Sequence, residues 1–399
     1  MISVFDLFAG CGGLSQGLKD AGFDIRWANE ISVHSCNTYR AAHTEVELYQ
    51  EDANHLLLRL LDIDSNLPRP GEVDMICGGP PCQGFSGYNR FRNINDPRNS
   101  LVETFLGFVD HLQPRFVLME NVPGMLSLAN GEIFRLILAT LTELGYQTRF
   151  GILQAGYYGL PQNRWRIFIW ASRNGEPLPF FPEPTHIFPQ TTIFGATRFR
   201  DAIKKPAGGG PNLFSELLPT TSVWDAISDL PVIENGERQP ALPYRTLATS
   251  HYQRLVRSDS PVIYNHVTTK LGELQLARCK AVPKRPGAGW LDLPEELKPK
   301  NLLRHGDKRY PNRFGRLSPT GIFNTIMTEP QPYWGSVFHP FQDRAVSVRE
   351  CARAQGFKDE VHFLGPMSEC YRQIGNAVPP PLAAAIGHEL LAALNGKKD

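Results

Sequence analysis

The stretch GGPPCQGFSGYNRFRN, residues 78–93, sets Cys82 between two prolines and a loop rich in glycine and arginine. That is the setting of a nucleophile offered to a bulky, anionic substrate. An ordinary thiol has a pKa near ~8.5, so only a small fraction is thiolate at neutral pH. Arginines near a strand end lower that value. Cys77, in the apolar run VDMIC, reads instead as core and serves as the contrast. The competing reading of Cys82 is a small buried loop residue.

Three further stretches carry groups suited to the same chemistry. FVLMENVPG puts Glu120 at a strand C-terminus, on the sheet edge that also bears Cys82. LPQNRWRIFIW has Arg164 and Arg166 two apart, hence on one face if extended. YRQIGNAVPPPLAAAIG carries Gln373, Gly375 and Asn376 just before a helix, where an ordinary cap would also explain them.

A nucleotide site is indicated separately. FDLFAGCGGL places Gly10, Gly12 and Gly13 between a strand and a helix, where glycine lets the backbone approach a nucleotide. The spacing is not the dinucleotide G-x-G-x-x-G pattern, and no Walker lysine follows. Glu30 ends the next strand, where an acid binds ribose hydroxyls. Asp52 ends the third strand, in reach of an adenine amino group. Such residues at successive strand C-termini describe an adenosine cofactor site, although either acid alone would read as a solvated strand end.

These groups need a scaffold. Residues 1–172 alternate apolar strand patterns (3–8, 24–29, 46–49, 73–77, 115–120, 166–172) with helical ones (14–21, 100–112, 132–144). The alternation predicts a mostly parallel, doubly wound α/β sheet covered on both faces. Residues 173–340 are rich in Pro and Gly and lack periodicity, so they are expected to form a second, smaller, loop-rich domain. Residues 341–399 are helical again and are expected to return to the first domain.

Composition narrows the class. The chain has 399 residues, 42% hydrophobic, with a net charge of +1. Residues 241–320 hold fifteen Lys/Arg against six Asp/Glu, which suggests a polyanion-facing module or a solvated loop region. Seven cysteines without a CxxC pair argue against a disulfide framework or a zinc site. The N-terminal strand pattern does not read as a signal peptide, and no membrane span is expected.

Taken in order, DLFAGCGGL, GGPPCQGFS, MENVPG, PQNRWRIF, SVRECARAQGF and RQIGNAVPPPLA resemble the C5-cytosine DNA methyltransferase family. The resemblance covers residues 1–172 and about 340–399, with a variable target-recognition region between. Within residues 222–300 and just beyond, SVWDAISDLP, the run from Asn265 to Pro294, and FNTIMTEPQP are similar to the catalytic domain of animal and plant maintenance methyltransferases.

The resemblance implies the methyltransferase variant of the doubly wound fold, with S-adenosylmethionine as cofactor and double-stranded DNA as partner. It implies Cys82 as the nucleophile toward cytosine C6 and Glu120 as the carboxyl at the pyrimidine edge. Arg166 would contact the base carbonyl, and Arg164 would support the catalytic loop. Phe8, Gly10, Gly12, Gly13, Leu14, Glu30, Asp52, Pro80, Leu101, Asn376 and Val378 fall on positions expected to hold the cofactor.

Ser86, Arg90, Arg92, Arg98 and Gln373 are expected to face DNA, and residues 84–99 are expected to close as a lid over the extruded base. A monomer is expected, acting in the nucleoid or the nucleus. Three rivals remain: a tRNA cytosine methyltransferase on the same scaffold, a degenerate binding protein, and a cysteine hydrolase. The long region between residues 172 and 340 favours duplex DNA over tRNA. No histidine in a motif context supports the hydrolase.

Overall fold

The computed structural model describes residues 1–62, 66–81, 100–189, 200–205, 217–305 and 310–396. Contacts divide these into two compact units. The first comprises residues 1–158, 165–219 and 378–399, and the second residues 159–164 and 220–377. These boundaries differ from those expected at 172/173 and 340/341. The proline-rich segment after residue 173 stays with the sheet, where Thr185 and His186 both donate backbone N–H bonds to the Tyr157 carbonyl. Residues 341–377 belong to the second unit, and only the last helix returns to the first.

The first unit is a seven-stranded sheet. Its strands are β1 (Ser3–Leu7), β2 (Asp24–Asn29), β3 (Glu47–Tyr49), β4 (Met75–Gly78), β5 (Phe116–Asn121), β6 (Tyr146–Gln154) and β7 (Trp165–Arg173), in the order β3-β2-β1-β4-β5-β7-β6. All neighbours pair in parallel except β7, which runs against both β5 and β6. β6 was not anticipated, because Gln147 and Arg149 interrupt its apolar pattern.

Strand side chains alternate between the two faces. Phe5, Leu7, Ile76, Val117 and Met119 enter one core cluster with the apolar sides of α3 (Ala53–Leu61), α4 (Ser100–Leu112) and α5 (Glu132–Glu143). Val4, Asp6, Met75, Cys77 and Leu118 alternate to the other face and are buried as well. Cys77 is thus a core residue, as its apolar setting suggested. Helices α1 (Gly13–Asp20) and α2 (Val33–Ala42) follow β1 and β2.

The second unit contains α6 (Val223–Ile227), α7 (His251–Val256), α8 (Glu273–Ala281), α9 (Lys300–His305), α10 (Val348–Ala354) and α11 (Met367–Asn376). It also has two strand pairs, β8 (Ala241–Pro243) with β9 (Val262–Tyr264) and β10 (Gly315–Arg316) with β11 (Ser336–Phe338). The final helix α12 (Pro380–Leu394) starts with proline in its first turn and packs on α1 in the first unit. The run Met367–Leu394 is apolar and long enough to match a membrane span by length and composition, yet half of it is buried in the protein. The break at 377–379 makes it two helices, and Leu382, Ala383, Ile386 and Leu390 of α12 are core residues.

Beside its apolar cluster around Trp290, Phe314 and Phe338, the second unit buries several charged pairs. SVRECARAQGF forms α10, capped by a reciprocal pair in which Ser347 Oγ accepts from Glu350 N and Glu350 Oε2 accepts from Ser347 N. Arg353 donates to both oxygens of Asp229 and of Asp359. Arg344 binds Glu350 bidentately at 2.6 and 2.8 Å. Arg316 donates to the carbonyls of Cys279, His339 and Gln342. All three arginines are buried, so removing one partner would strand an uncompensated charge.

Burial also pushes the imidazoles of His266 and His339 down to about 4 and about 3. Both are therefore neutral at neutral pH, whereas an unfolded histidine takes its proton near ~6.5. The unfolded chain gains protons first as pH falls, so stability is lost below about 6.5, reaching roughly 3 kcal/mol for His266 near pH ~4. Asp6, raised to about 7 chiefly by burial, works in the opposite direction, its share being lost as pH rises. We expect the thermal midpoint to fall on acidification, and the fall to be shallower in His266→Gln. Equal slopes in calorimetry would contradict this account.

Candidate active site

The parallel strands end together. Leu7 pairs with Asn29 and with Gly78, and Gly78 pairs with Met119. The loop after β1, Glu30 after β2, Gly79–Pro80 after β4 and Glu120 at the end of β5 consequently share one sheet edge, where α/β folds bind ligands. Because β7 is antiparallel, its first residues lie at that same edge, and Asn121 pairs with Ile167.

Glu120 is 8% exposed, and its Oε1 lies 2.8 Å from Arg166 Nε. Burial lowers the Arg166 pKa, and the Glu120 carboxylate opposes the shift. The other carboxylate oxygen faces the root of the cysteine loop: a Cβ on Gly79 would stand 2.9 Å from Glu120 Oε2. Next in sequence, Asn121 Nδ2 donates to the Pro80 carbonyl at 3.1 Å. The sequence signal for Asn121 is its place directly after Glu120 in MEN. Together these contacts fasten the start of the Cys82 loop to the end of β5. Cys82 itself, and Ser86, Arg90, Arg92 and Arg98, lie outside the described residues.

Arg164 behaves differently from Arg166. β7 begins only at Trp165, so strand alternation does not extend to Arg164 and the expected shared face does not form. Arg164 is fully buried in the second unit and donates to the carbonyls of Ile326, Gly375 and Ala377. It clamps the Gly375–Ala377 segment that precedes α12.

The loop Phe8–Gly12 is held from several sides. Phe8 and Gly10 have positive φ of 58° and 57°, and Gly12, at the start of α1, has φ 87°. Gly10 N donates to Glu30 Oε2 at 2.9 Å, and Ser32 N donates to Glu30 Oε1 at 2.8 Å. Burial raises the Glu30 pKa while these amides oppose the rise. Asp52 does not end β3, which stops at Tyr49. It is the exposed N-cap of α3, its Oδ1 accepting from Asn54 N at 2.8 Å. Gly13 and Leu14 open α1 and are buried, Pro80 is buried, and Leu101 is half-buried in α4. Val378 belongs to the first unit, whereas Asn376 is the exposed last residue of α11 in the second.

Gln373, expected to face DNA, is 4% exposed, and its Nε2 donates to the Leu364 carbonyl. That burial fits an internal brace better than a DNA contact. The basic stretch 241–320 is similarly divided. Arg278 and Arg316 are buried and bind carbonyls, and Arg257 is spent on Asp229 and the Thr246 carbonyl. Arg245, Arg254, Lys270, Lys280, Lys284, Arg285 and Lys300 are exposed. Arg313 lies 4.7 Å from the ring centres of both Tyr310 and Tyr333, beside Trp334, which is 44% exposed. The interleaved pattern RYPNRF, residues 309–314, is the sequence signal for that set. Among the described residues no group of His, Cys, Asp and Glu could hold a metal.

The family model of C-5 cytosine-specific DNA methylases matches residues 2–392. The chain belongs to this family. Its relatives within it include DNA (cytosine-5)-methyltransferase 1A of Oryza sativa, 41% identical over an alignment covering 100% of this chain and 29% of that protein. DNA (cytosine-5)-methyltransferase 1 of Mus musculus is 36% identical, with 98% and 28% covered. The chain thus spans about three tenths of the length of these curated relatives. Among solved structures, a putative prophage-encoded DNA modification methyltransferase from E. coli superposes with a TM-score of 0.69 at 25% identity, covering 99% of this chain and all of the other. The S. pombe Dnmt2 methyltransferase shares the fold at TM-score 0.56 and 17% identity.

Proposed function

We propose that the chain is a DNA (cytosine-5-)-methyltransferase, moving a methyl group from S-adenosylmethionine to C5 of a cytosine turned out of duplex DNA. The observation that supports this most is the Glu120–Arg166 pair, set at the sheet edge against the root of the Cys82 loop. The bound donor supplies an electrophilic methyl group on its sulfonium. The residues of the β1 loop fit its adenosine end. Gly10 and Gly12 bring backbone close, Glu30 is pre-oriented by two amides for a ribose diol, and Asp52 is exposed beyond the cap bond of its Oδ1.

Cytosine C5 is a poor nucleophile toward that methyl group. Addition of the Cys82 thiolate to C6 makes an enamine, whose C5 attacks. The Glu120 carboxyl gives N3 a proton as the thiolate adds and holds the exocyclic amino group, while Arg166 keeps the resulting carboxylate in place and contacts the base carbonyl. Loss of the C5 proton to a base then breaks the C6–S bond and releases the enzyme.

Turning the base out costs a few kcal/mol of stacking. Exposed lysines and arginines of the second unit would offset part of it at the phosphates. The Arg313–Tyr310–Tyr333 stack with Trp334 presents the aromatic and guanidinium faces that bases favour. Its substrate would place the protein in the nucleoid or the nucleus.

Bisulfite sequencing of plasmid DNA expressed with the protein should show methylation at CG-containing sites, as the similarity of residues 222–300 to maintenance enzymes suggests. Methylation confined to non-CG cytosines would overturn the site assignment. Label transfer to tRNA and not to duplex DNA would favour the tRNA enzyme and overturn the function.

A further inference from the structure

A set of buried polar side chains packs beside the β1 loop, and the chemistry above makes no use of it. Asp6 on β1, Ser15 on α1, and Tyr39 and His43 at the end of α2 are 1%, 0%, 0% and 2% exposed. Ser15 Oγ donates to Asp6 Oδ2 at 2.6 Å, which leaves Tyr39 as the donor in its 2.8 Å bond to Ser15. The Tyr39 and His43 rings pack with centres 4.6 Å apart. The His43 ring ends at Gly12. The space a Cβ on Gly12 would take is filled by His43 Nε2 at 2.5 Å, His43 Cδ2 at 2.8 Å and Tyr39 Cδ2 at 3.1 Å.

The Gly12 backbone stands beside the imidazole and offsets part of the fall in its pKa. The Gly12 N–H is given to the Ala9 carbonyl, so the Gly12 carbonyl is the group there that an imidazole N–H can meet. Nδ1 has no partner, and Nε2 is the ring nitrogen set against Gly12. Burial, with Lys19 adding to it, pushes the imidazole down to about 4, so the ring is neutral near neutral pH.

Burying four polar side chains where apolar ones would pack is costly unless they bond to one another, and a bonded set makes its surroundings rigid. What they fix is the left-handed backbone at Gly12, the point where β1 turns into α1. We propose that His43, braced through Tyr39 and Ser15 to Asp6, is a positioning residue that sets the shape of the Phe8–Gly12 loop and thereby the affinity for S-adenosylmethionine without touching it. The inference rests on the reading of that loop as the donor site.

Three variants test it. His43→Phe keeps a ring against Tyr39 and removes the donor. His43→Gln restores an N–H at a similar reach. Tyr39→Phe cuts the link to Ser15 by one hydroxyl. Titration calorimetry with S-adenosylmethionine should give a dissociation constant raised about tenfold or more in His43→Phe, about threefold in Tyr39→Phe, and within about twofold of the parent in His43→Gln. The kcat at saturating donor and the KM for DNA should hold within about twofold, a split that general loosening of the fold would not produce. Donor affinity unchanged in folded His43→Phe and Tyr39→Phe overturns the proposal. If His43→Phe does not fold, Tyr39→Phe and His43→Gln decide it alone. A parent protein that binds no donor overturns the cofactor reading, and this inference with it.

Discussion

Replacing Cys82 with serine should remove methylation altogether, with a loss of at least about 10⁴-fold in kcat, while DNA and S-adenosylmethionine still bind. The thiol is the one side chain in the proposed mechanism that forms a covalent bond to the substrate, and an alcohol is far harder to ionise. The substitution changes a single atom, and Pro80, two residues before it, is tied to Asn121 by a bond that residue 82 does not make. Two measurements separate chemistry from binding. Filter binding of duplex DNA in the presence of S-adenosylmethionine should match the parent. A duplex carrying 5-fluorocytosine, whose fluorine cannot leave as a proton does, should trap the parent protein covalently and leave Cys82→Ser untrapped. Appreciable turnover by the serine variant would sink the covalent mechanism.

The catalytic edge was legible in the sequence because its residues sit where strand patterns stop. Phe8, Glu30, Pro80 and Glu120 each follow an apolar run, and parallel pairing brings such ends together whatever the intervening helices do. Asp52 was misplaced by its local pattern: β3 is only three residues long, and the acid belongs to the helix that follows. Spacing alone sets Arg164 on one face with Arg166 if the strand extends that far, but its fully buried guanidinium is committed to the carbonyls of Ile326, Gly375 and Ala377 instead.

Least legible was the second unit. Its positive charge is partly structural, held in buried pairs such as Arg353 with Asp229 and Asp359, which lie 124 and 6 residues away in sequence. No periodicity announces a pairing of that range. His43 was missed for a similar reason, since a lone histidine at the end of an amphipathic helix gives no sign that it meets a glycine thirty-one residues before it.

Glu120→Gln should lower kcat by roughly 10²–10⁴-fold with little change in the dissociation constant for S-adenosylmethionine. The side chain keeps its shape and loses both its charge and its capacity to exchange a proton. In the parent, Arg166 holds Oε1 at 2.8 Å, and Oε2 lies 2.9 Å from where a Cβ on Gly79 would stand. An amide there still meets Arg166 through its oxygen, but its NH₂ has no acidic proton to give N3 as the thiolate adds to C6. The loss should therefore fall on kcat, since the interaction strengthens as charge develops. Gly79→Ala supplies the geometric control. Its Cβ would come within 2.9 Å of Oε2, so the carboxylate must swing away while no titratable group is added or removed. Single-turnover kinetics on a CG-containing duplex should place both variants well below the parent, with Gly79→Ala the milder because a flexible carboxylate can yield. Parent-like single-turnover rates in Glu120→Gln would remove this carboxyl from the chemistry and leave it as a counter-ion for Arg166.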